Sequence, residues 1–333
     1  MSKPKISVVM PVYNTKEEFL REAILSILSQ TYEDFEFLIV DDFSHEYIKN
    51  IITSYKDKRI KYFRLQKNSG AATARNYAID RATGEYIAFL DSDDIAAKDR
   101  FEKQVAFLVN NPEIGCLATA VTAIGDDTKY ANFIVYKTHF EIESNLIFNG
   151  CVFCQSSVML RKSIIDKNKI RYKDEYVPAE DYGFWLDMIG YTKFAILPEK
   201  LTTYRYHLGN ISRTQRDIQR EKNSLAQVRA FQKYCNIKIK DISLWSKYFT
   251  GQPFTKAELD ELQNCLEPVV ESLLNKGYSK DNLMYFFKKK FKKHFYKTRS
   301  IKGQWYLLNS KLCKFFGLSL RWRIFCFITR GIL

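Results

Sequence analysis

Residues 86–94, Tyr86-Ile87-Ala88-Phe89-Leu90-Asp91-Ser92-Asp93-Asp94, set a short apolar run of strand length directly before three carboxylates within four positions. A continuous apolar run of that length suits a strand covered on both faces, as in sheets layered between helices. In an open α/β sheet, ligands settle in the crevice beyond the carboxyl ends of the strands. Carboxylates crowded at such an end repel one another, and a cation joining them removes the conflict. The stretch has no Cys or His, so its oxygen ligands favour a hard ion, Mg²⁺ or Mn²⁺, of the kind that holds substrate phosphates. An acidic turn that caps a helix beginning near Lys98 accounts for Asp93 and Asp94 equally well at this point.

The same punctuation recurs upstream. Residues 5–10 read as a first strand, which Pro11-Val12-Tyr13-Asn14-Thr15 breaks into a loop. Residues 16–30 then repeat Leu20, Ile24, Ile27 and Leu28 at the spacing of one helix face. A second strand, residues 35–40, ends in another carboxylate pair, Asp41-Asp42. A helix over 47–55 and a strand over 60–65 follow, and Asn68-Ser69-Gly70 turns into an Ala-rich helix with Arg75 about one turn inside. Strand and helix alternating through short turns call for an α/β fold, a mostly parallel sheet with helices on both faces. Successive strand ends then share one edge. Tyr13, Asp42, Arg75, Asp91 and Asp93 are thereby predicted to converge on one crevice suited to a nucleoside diphosphate. The ring flanks a base, a carboxylate accepts from base or ribose, and metal with Arg neutralises phosphates.

Downstream, residues 155–161 read as a strand, and Pro178-Ala179-Glu180-Asp181 as a turn into a helix that carries Trp185 in a ligand pocket or in the core. Beyond Thr214 the pattern becomes helical, over 217–234 and again after Thr255-Lys256-Ala257-Glu258, which has the form of a capping box. Two regions are expected: an α/β domain over 1–213, with halves of about 1–97 and 98–213, and a helical, basic and aromatic region over 214–333.

Charge sharpens that division. The net charge is +14, but residues 282–333 hold 13 Lys or Arg and no Asp or Glu, which leaves 39 basic against 38 acidic residues elsewhere. From Leu283, the residues Met284, Phe287, Phe291 and Phe295 fall on one helical face with Lys288, Lys289, Lys292 and Lys293 largely beside it. Such a helix suits an anionic membrane surface, or docks on another part of the protein or on a dimer partner. The seven Cys include only one close pair, Cys151 and Cys154, with Val152 and Phe153 between them, and read as reduced core thiols. No window offers about 18 consecutive apolar residues, and the amino terminus carries no secretory signal. The expected location is cytoplasmic, peripheral on the membrane.

The segments Ile6-Ser7-Val8-Val9-Met10-Pro11-Val12-Tyr13-Asn14, Ser29-Gln30-Thr31-Tyr32, Asp41-Asp42-Phe43-Ser44, residues 70–76 and Asp91-Ser92-Asp93-Asp94 strongly resemble the family 2 glycosyltransferases. The match runs in order through the first hundred residues and more weakly to about 215. It implies a GT-A fold, a nucleotide-sugar donor, with UDP favoured by analogy, Mn²⁺ or Mg²⁺ as cofactor, and inversion at the anomeric carbon. By this resemblance Pro11, Val12, Tyr13 and Asp42 frame the base, Arg75 helps hold the nucleotide, and Asp91 and Ser92 belong to the same binding set. Asp93 is a metal ligand, His207 completes the metal shell or bonds a phosphate oxygen, and Asp181 is the general base. Phe43 departs from the small residue usual in its turn. Arg321-Trp322 lacks the Gln of the processive signature, Leu318 standing in its place, which implies one sugar transferred per encounter to a saccharide or lipid-linked acceptor.

Two other classes fit the sequence less well. A sugar-phosphate nucleotidyltransferase would show a Gly-rich basic loop after the first strand, where Pro11-Val12-Tyr13-Asn14 stands. A nucleic-acid-binding protein using the aromatic, basic tail has little reason for strand-end carboxylates that repel phosphate, so no nucleic acid is expected. An oligomer is compatible with the sequence.

Overall fold

The structure is a computed structural model that describes residues 5–126, 133–235 and 242–286, except 282 and 284. The strands are β1 (Ile6–Val12), β2 (Phe35–Asp41), β3 (Ile60–Arg64), β4 (Tyr86–Phe89), β5 (Ile95–Ala96), β6 (Ile114–Gly125), β7 (Met159–Arg161) and β8 (Lys193–Tyr206). The helices are α1 (Glu17–Leu28), α2 (Glu46–Ser54), α3 (Gly70–Arg81), α4 (Arg100–Asn110), α5 (His139–Phe148), α6 (Lys162–Lys167), α7 (Glu180–Met188), α8 (Ile211–Thr214), α9 (Arg216–Cys235), α10 (Ile242–Thr250) and α11 (Lys256–Asn275).

One sheet in the order β3-β2-β1-β4-β7-β6-β8-β5 organises the first compact unit, which comprises the described residues up to Leu146 together with Gly150–Gln219. The first four strands in sequence pair in parallel through helical crossovers. Every residue of β2 and β4 is buried, as expected where helices cover both faces of a sheet. Val12 lies opposite Asp41 and Val9 opposite Phe89, so these strands finish along one edge with their polar residues just beyond. The other half is mixed: β6 and β8 run parallel, whereas short β7 and β5 enter antiparallel. The core gathers Val8, Leu20, Ile24, Ile27, Phe37, Ile39 and Phe101.

Two local expectations change. The first strand continues through Pro11 to Val12 instead of breaking at the proline. Pro11 pairs with Val40 on the β2 side, while β4 finishes beside Val9, so the N–H that proline lacks has no ladder partner to lose. Downstream, Gln155–Ser157 form a 3-10 turn ahead of β7. Their buried side chains make local and tertiary bonds, Ser157 Oγ donating to Cys154 O and Gln155 Nε2 to the Tyr172 hydroxyl. Such competition for the backbone is how short polar side chains leave a strand.

The second unit comprises Ile147–Asn149 and the described residues from Arg220 onward, and it is helical. Phe148, Phe231, Trp245 and Phe249 join rings in its core, and Leu262, Leu266, Val269 and Leu273 form the buried stripe of α11. Thr255 and Glu258 close the expected capping box. The amphipathic segment and tail lie outside the described residues, apart from 283, 285 and 286. Among the described residues no helix is long and apolar enough to cross a membrane.

Candidate active site

The ends of β1, β2, β4 and β8 and the first turns of α3 and α7 meet around one cavity of about 880 Å³. Pro11, Val12, Tyr13, Asp42, Arg75, Asp91, Ser92, Asp93, Asp181 and His207 all line it. Chain topology brings them together: 196 positions separate Pro11 from His207 (207 less 11), yet strands that end along one sheet edge, with α3 and α7, carry them to the same cavity.

Asp42 follows β2 and accepts from the N–H groups of Ser69 and Gly70, each at 2.7 Å, so a carboxylate from another strand caps α3. Burial raises its pKa, and those two N–H groups oppose the rise. Tyr13, beside it in the cavity, is 53% exposed, leaving a ring face for a planar ligand. Phe43 adopts a left-handed φ of 65°, unusual for a bulky residue, and turns its ring outward beneath the Arg64 guanidinium at 5.4 Å. The large side chain is thereby accommodated where a small one is usual.

The acidic turn after β4 divides its carboxylates among separate partners. Asp91 accepts from Arg75 Nη2 at 2.7 Å, and its N–H donates to Ser156 Oγ at 3.0 Å. Ser92 and Thr15 share a hydroxyl bond of 2.6 Å that ties the turn to the β1 loop. Asp93 Oδ2 lies 2.9 Å from His207 Nε2. Asp94 is fully buried, accepts from the Arg205 N–H at 2.8 Å, and has its pKa pushed well up by burial and by Asp93 and Asp91. The chain continues into β5, and α4 starts only at Arg100 with no side-chain cap, so helix capping does not explain these acids. Beneath the turn, fully buried Arg100 donates to the carbonyls of Phe89 and Val158 at 3.1 and 3.3 Å, and burial lowers its pKa to about 9.

Arg75 is 6% exposed and bridges two carboxylates, with Nη1 3.0 Å from Glu180 and Nη2 2.7 Å from Asp91. Burial opposes its charge, but Asp91, Tyr172 and Glu180 outweigh that cost and keep its pKa above the ordinary value. The guanidinium therefore braces the acidic turn against the start of α7. Half-buried Asp181 follows Glu180 and accepts from the Tyr182 N–H at 2.7 Å. Its pKa is pushed up to about 7, chiefly by burial and then by the Glu180 charge. Trp185 is fully buried among Phe89, Phe153 and Phe184 and belongs to the core.

Asp93 and His207 offer one oxygen and one nitrogen ligand side by side. Among the described residues no group of three or more His, Cys, Asp or Glu is arranged to hold a metal. A two-ligand set fits a divalent ion that takes its remaining ligands from substrate phosphate and water. The Gly209 N–H donates to His207 Nδ1 at 3.1 Å, so the neutral ring carries its proton on Nε2 and donates it to Asp93, and a cation taken by Nε2 would require that Nδ1 contact to be given up. Cys154 is buried and Cys151 exposed, both as free thiols.

Other side chains on the cavity wall carry no expectation from sequence: Lys16, Phe19, Phe133 and Gln219. Tyr204 and Tyr206 also line it; they open the segment 204–212, which resembles the family stretch that folds over the diphosphate after donor binding, and they stand at a period of two directly before His207. Phe133 and Gln219 reach the wall only through tertiary placement.

A parallel half-sheet whose carboxylate-bearing ends open on a cleft, completed by a mixed half that supplies His207, is the arrangement of GT-A glycosyltransferases. The chain belongs to glycosyl transferase family 2, whose sequence profile matches residues 7–168. A Methanocaldococcus jannaschii protein described as an uncharacterized glycosyltransferase is 37% identical over 210 residues, 62% of this chain and 72% of that one. TuaG of Bacillus subtilis, a putative teichuronic acid biosynthesis glycosyltransferase, is 32% identical over 218 residues, covering 63% and 82%. WfgD of Escherichia coli, a UDP-Glc:alpha-D-GlcNAc-diphosphoundecaprenol beta-1,3-glucosyltransferase, is 30% identical over 184 residues, covering 55% and 69%. Among solved structures, S. aureus TarS 1-349 in complex with UDP-GlcNAc shares the fold at a TM-score of 0.59 and 18% identity, covering 98% of this chain and 91% of that one. The mannosyltransferase PcManGT from Pyrobaculum calidifontis, in complex with GDP-Man and Mn²⁺, does so at 0.53 and 15%, covering 96% and 89%.

Proposed function

We propose that this glycosyltransferase moves one sugar from a nucleotide-sugar, a UDP-sugar in the first instance, to a hydroxyl of a saccharide or lipid-linked acceptor during polysaccharide synthesis. The reaction is a single displacement with inversion. The observation that carries this reading is the pairing, in one cavity, of a carboxylate poised near neutrality, Asp181, with the Asp91-Ser92-Asp93 turn and His207. The names of TuaG and WfgD support the pathway class, and UDP in the names of WfgD and of two TarS complexes supports the donor base.

Asp181 takes the proton of the acceptor hydroxyl as that oxygen bonds to the anomeric carbon. The bond from that carbon to the diphosphate oxygen breaks, and its electron pair leaves with the nucleotide. A base with a pKa near the working pH suits this step, because it is largely ionised yet still basic. Pro11, Val12, Tyr13 and Asp42 receive the base, Asp91 and Ser92 the ribose side, and Arg75 holds Asp91 and Glu180 in register while adding positive charge toward the phosphates. Asp93 and His207 would hold a divalent cation, Mn²⁺ or Mg²⁺, which supplies Lewis-acid neutralisation of the leaving diphosphate. The same reading has residues 283–333 meeting an anionic membrane, supported by their 13 cations without an acid between 282 and 333.

Hydrolysis of UDP-glucose, UDP-galactose, UDP-N-acetylglucosamine and GDP-mannose with Mn²⁺ tests the assignment. Turnover of one donor is expected, abolished by Asp93→Ala and lowered by Asp181→Asn by roughly 10²- to 10⁴-fold. No turnover of any donor, together with no Mn²⁺-dependent nucleotide binding, would sink it.

A further inference from the structure

Tyr204 and Tyr206 occupy alternate positions of β8, so the pleat sends both toward the cavity while Arg205 between them turns away. Arg205 is used elsewhere, its N–H on Asp94 and its guanidinium on the Asp93 carbonyl and over the Phe19 ring at 4.3 Å. Phe133 meets Tyr204 edge to face, centroids 5.7 Å apart at 69°, and Tyr204 meets Tyr206 at 6.4 Å and 49°. Three rings thus form a bent wall. Its frame is fixed: the Asp126 N–H donates to Tyr206 O at 2.9 Å, and Arg213, which does not line the cavity, stacks on the Tyr206 ring at 5.1 Å. Gln219 joins the wall to the base, since its Nε2 donates at 3.1 Å to the carbonyl of Pro178, three residues before Asp181.

We propose that Phe133, Tyr204 and Tyr206 are the acceptor subsite, and that it takes the C–H face of a pyranose ring, so that the acceptor ends in a sugar residue. The proposal rests on the donor-site reading above and deepens it. Apolar C–H faces pack on aromatic rings, while Asp126 and Gln219, which line the same cavity, are polar partners for the ring hydroxyls. The wall also recedes from the donor side. Tyr206 borders His207, whereas Tyr204 is three positions from it, about 10 Å of extended chain, so the far end of the wall lies away from the residues assigned to the diphosphate. The donor's own sugar has the same chemistry, so the experiment separates the two sources.

Saturation-transfer difference NMR on the full chain would use the methyl glycosides of glucose, galactose, mannose and N-acetylglucosamine as probes, with and without UDP and Mn²⁺. At least one glycoside is expected to take up saturation on one ring face. Phe133→Ala and Tyr206→Ala, made separately so that a folding defect in one leaves the other informative, are expected to weaken that binding about tenfold, ~1.4 kcal/mol. Tyr206→Phe is expected to preserve it, and both ring deletions are expected to weaken glycoside binding more than they raise the KM for nucleotide-sugar hydrolysis. No glycoside signal, binding indifferent to both ring deletions, or a rise in donor KM instead would overturn the proposal. Absence of UDP binding in the wild type would contradict the donor reading alone, since the wall is still judged by the glycoside signal without nucleotide.

Discussion

Asp181 connects residue chemistry to a measurable pH dependence. Its pKa is raised to about 7 by burial and by Glu180, so the basic form accumulates as pH rises. kcat/KM is expected to climb through about pH 7, and Asp181→Asn to flatten that limb. The folded state binds this proton more tightly than the unfolded chain, whose Asp titrates near ~4, so the carboxyl's contribution to stability falls between about pH 4 and 7. Arg75 is one of the groups opposing the rise. Arg75→Met is expected to move the acidic limb to higher pH by roughly 0.5–1 unit and to lower kcat/KM at least about tenfold. A pH–rate profile that does not move would leave Arg75 without influence on the base. Strand–helix alternation brings Tyr13, Asp42, Arg75, Asp91 and Asp93 to one crevice, the family resemblance adds Pro11, Val12, Ser92, Asp181 and His207, and all ten line one cavity. The Arg75–Glu180 pair was not legible: the two lie 105 positions apart, and nothing in local sequence says which carboxylate a buried guanidinium meets.

At the scale of elements, strands and helices with strong periodicity were legible, and irregular pieces were not. The apolar stripe over Leu20, Ile24 and Ile27 became the buried face of α1, and Thr255-Lys256-Ala257-Glu258 became a capping box. Residues 155–157 were misread as strand because their hydroxyl and amide bonds outcompete the ladder, a choice that periodicity does not encode. The element that presents Asp181 is tightly seated. A Cβ on Gly183 of α7 would meet the Tyr176 ring at 2.2 Å, and Tyr176 is itself buried. Gly183→Ala is expected to cost about 1–3 kcal/mol in denaturant unfolding and to reduce turnover by displacing the first turn of α7. Unchanged stability and turnover would show that the ring moves aside freely.

For the whole molecule, charge divides more sharply than fold: nearly all the net charge of +14 falls within residues 282–333. If that segment meets an anionic surface, the full chain should sediment with phosphatidylserine vesicles, and a chain ending at Asp281 should not. Each Lys or Arg near the surface adds about 1 kcal/mol, screened as salt rises. Equal binding by both chains would assign any membrane contact to other residues. The central claim, displacement at the anomeric carbon with Asp181 as base, concerns the first unit and is tested most directly by stereochemistry. Using the nucleotide α-D-glycoside the enzyme accepts, proton NMR of the first-formed sugar should show the β anomer before mutarotation, and Asp181→Asn should suppress its formation. Formation of the α anomer, or full turnover without the Asp181 carboxylate, would contradict the account.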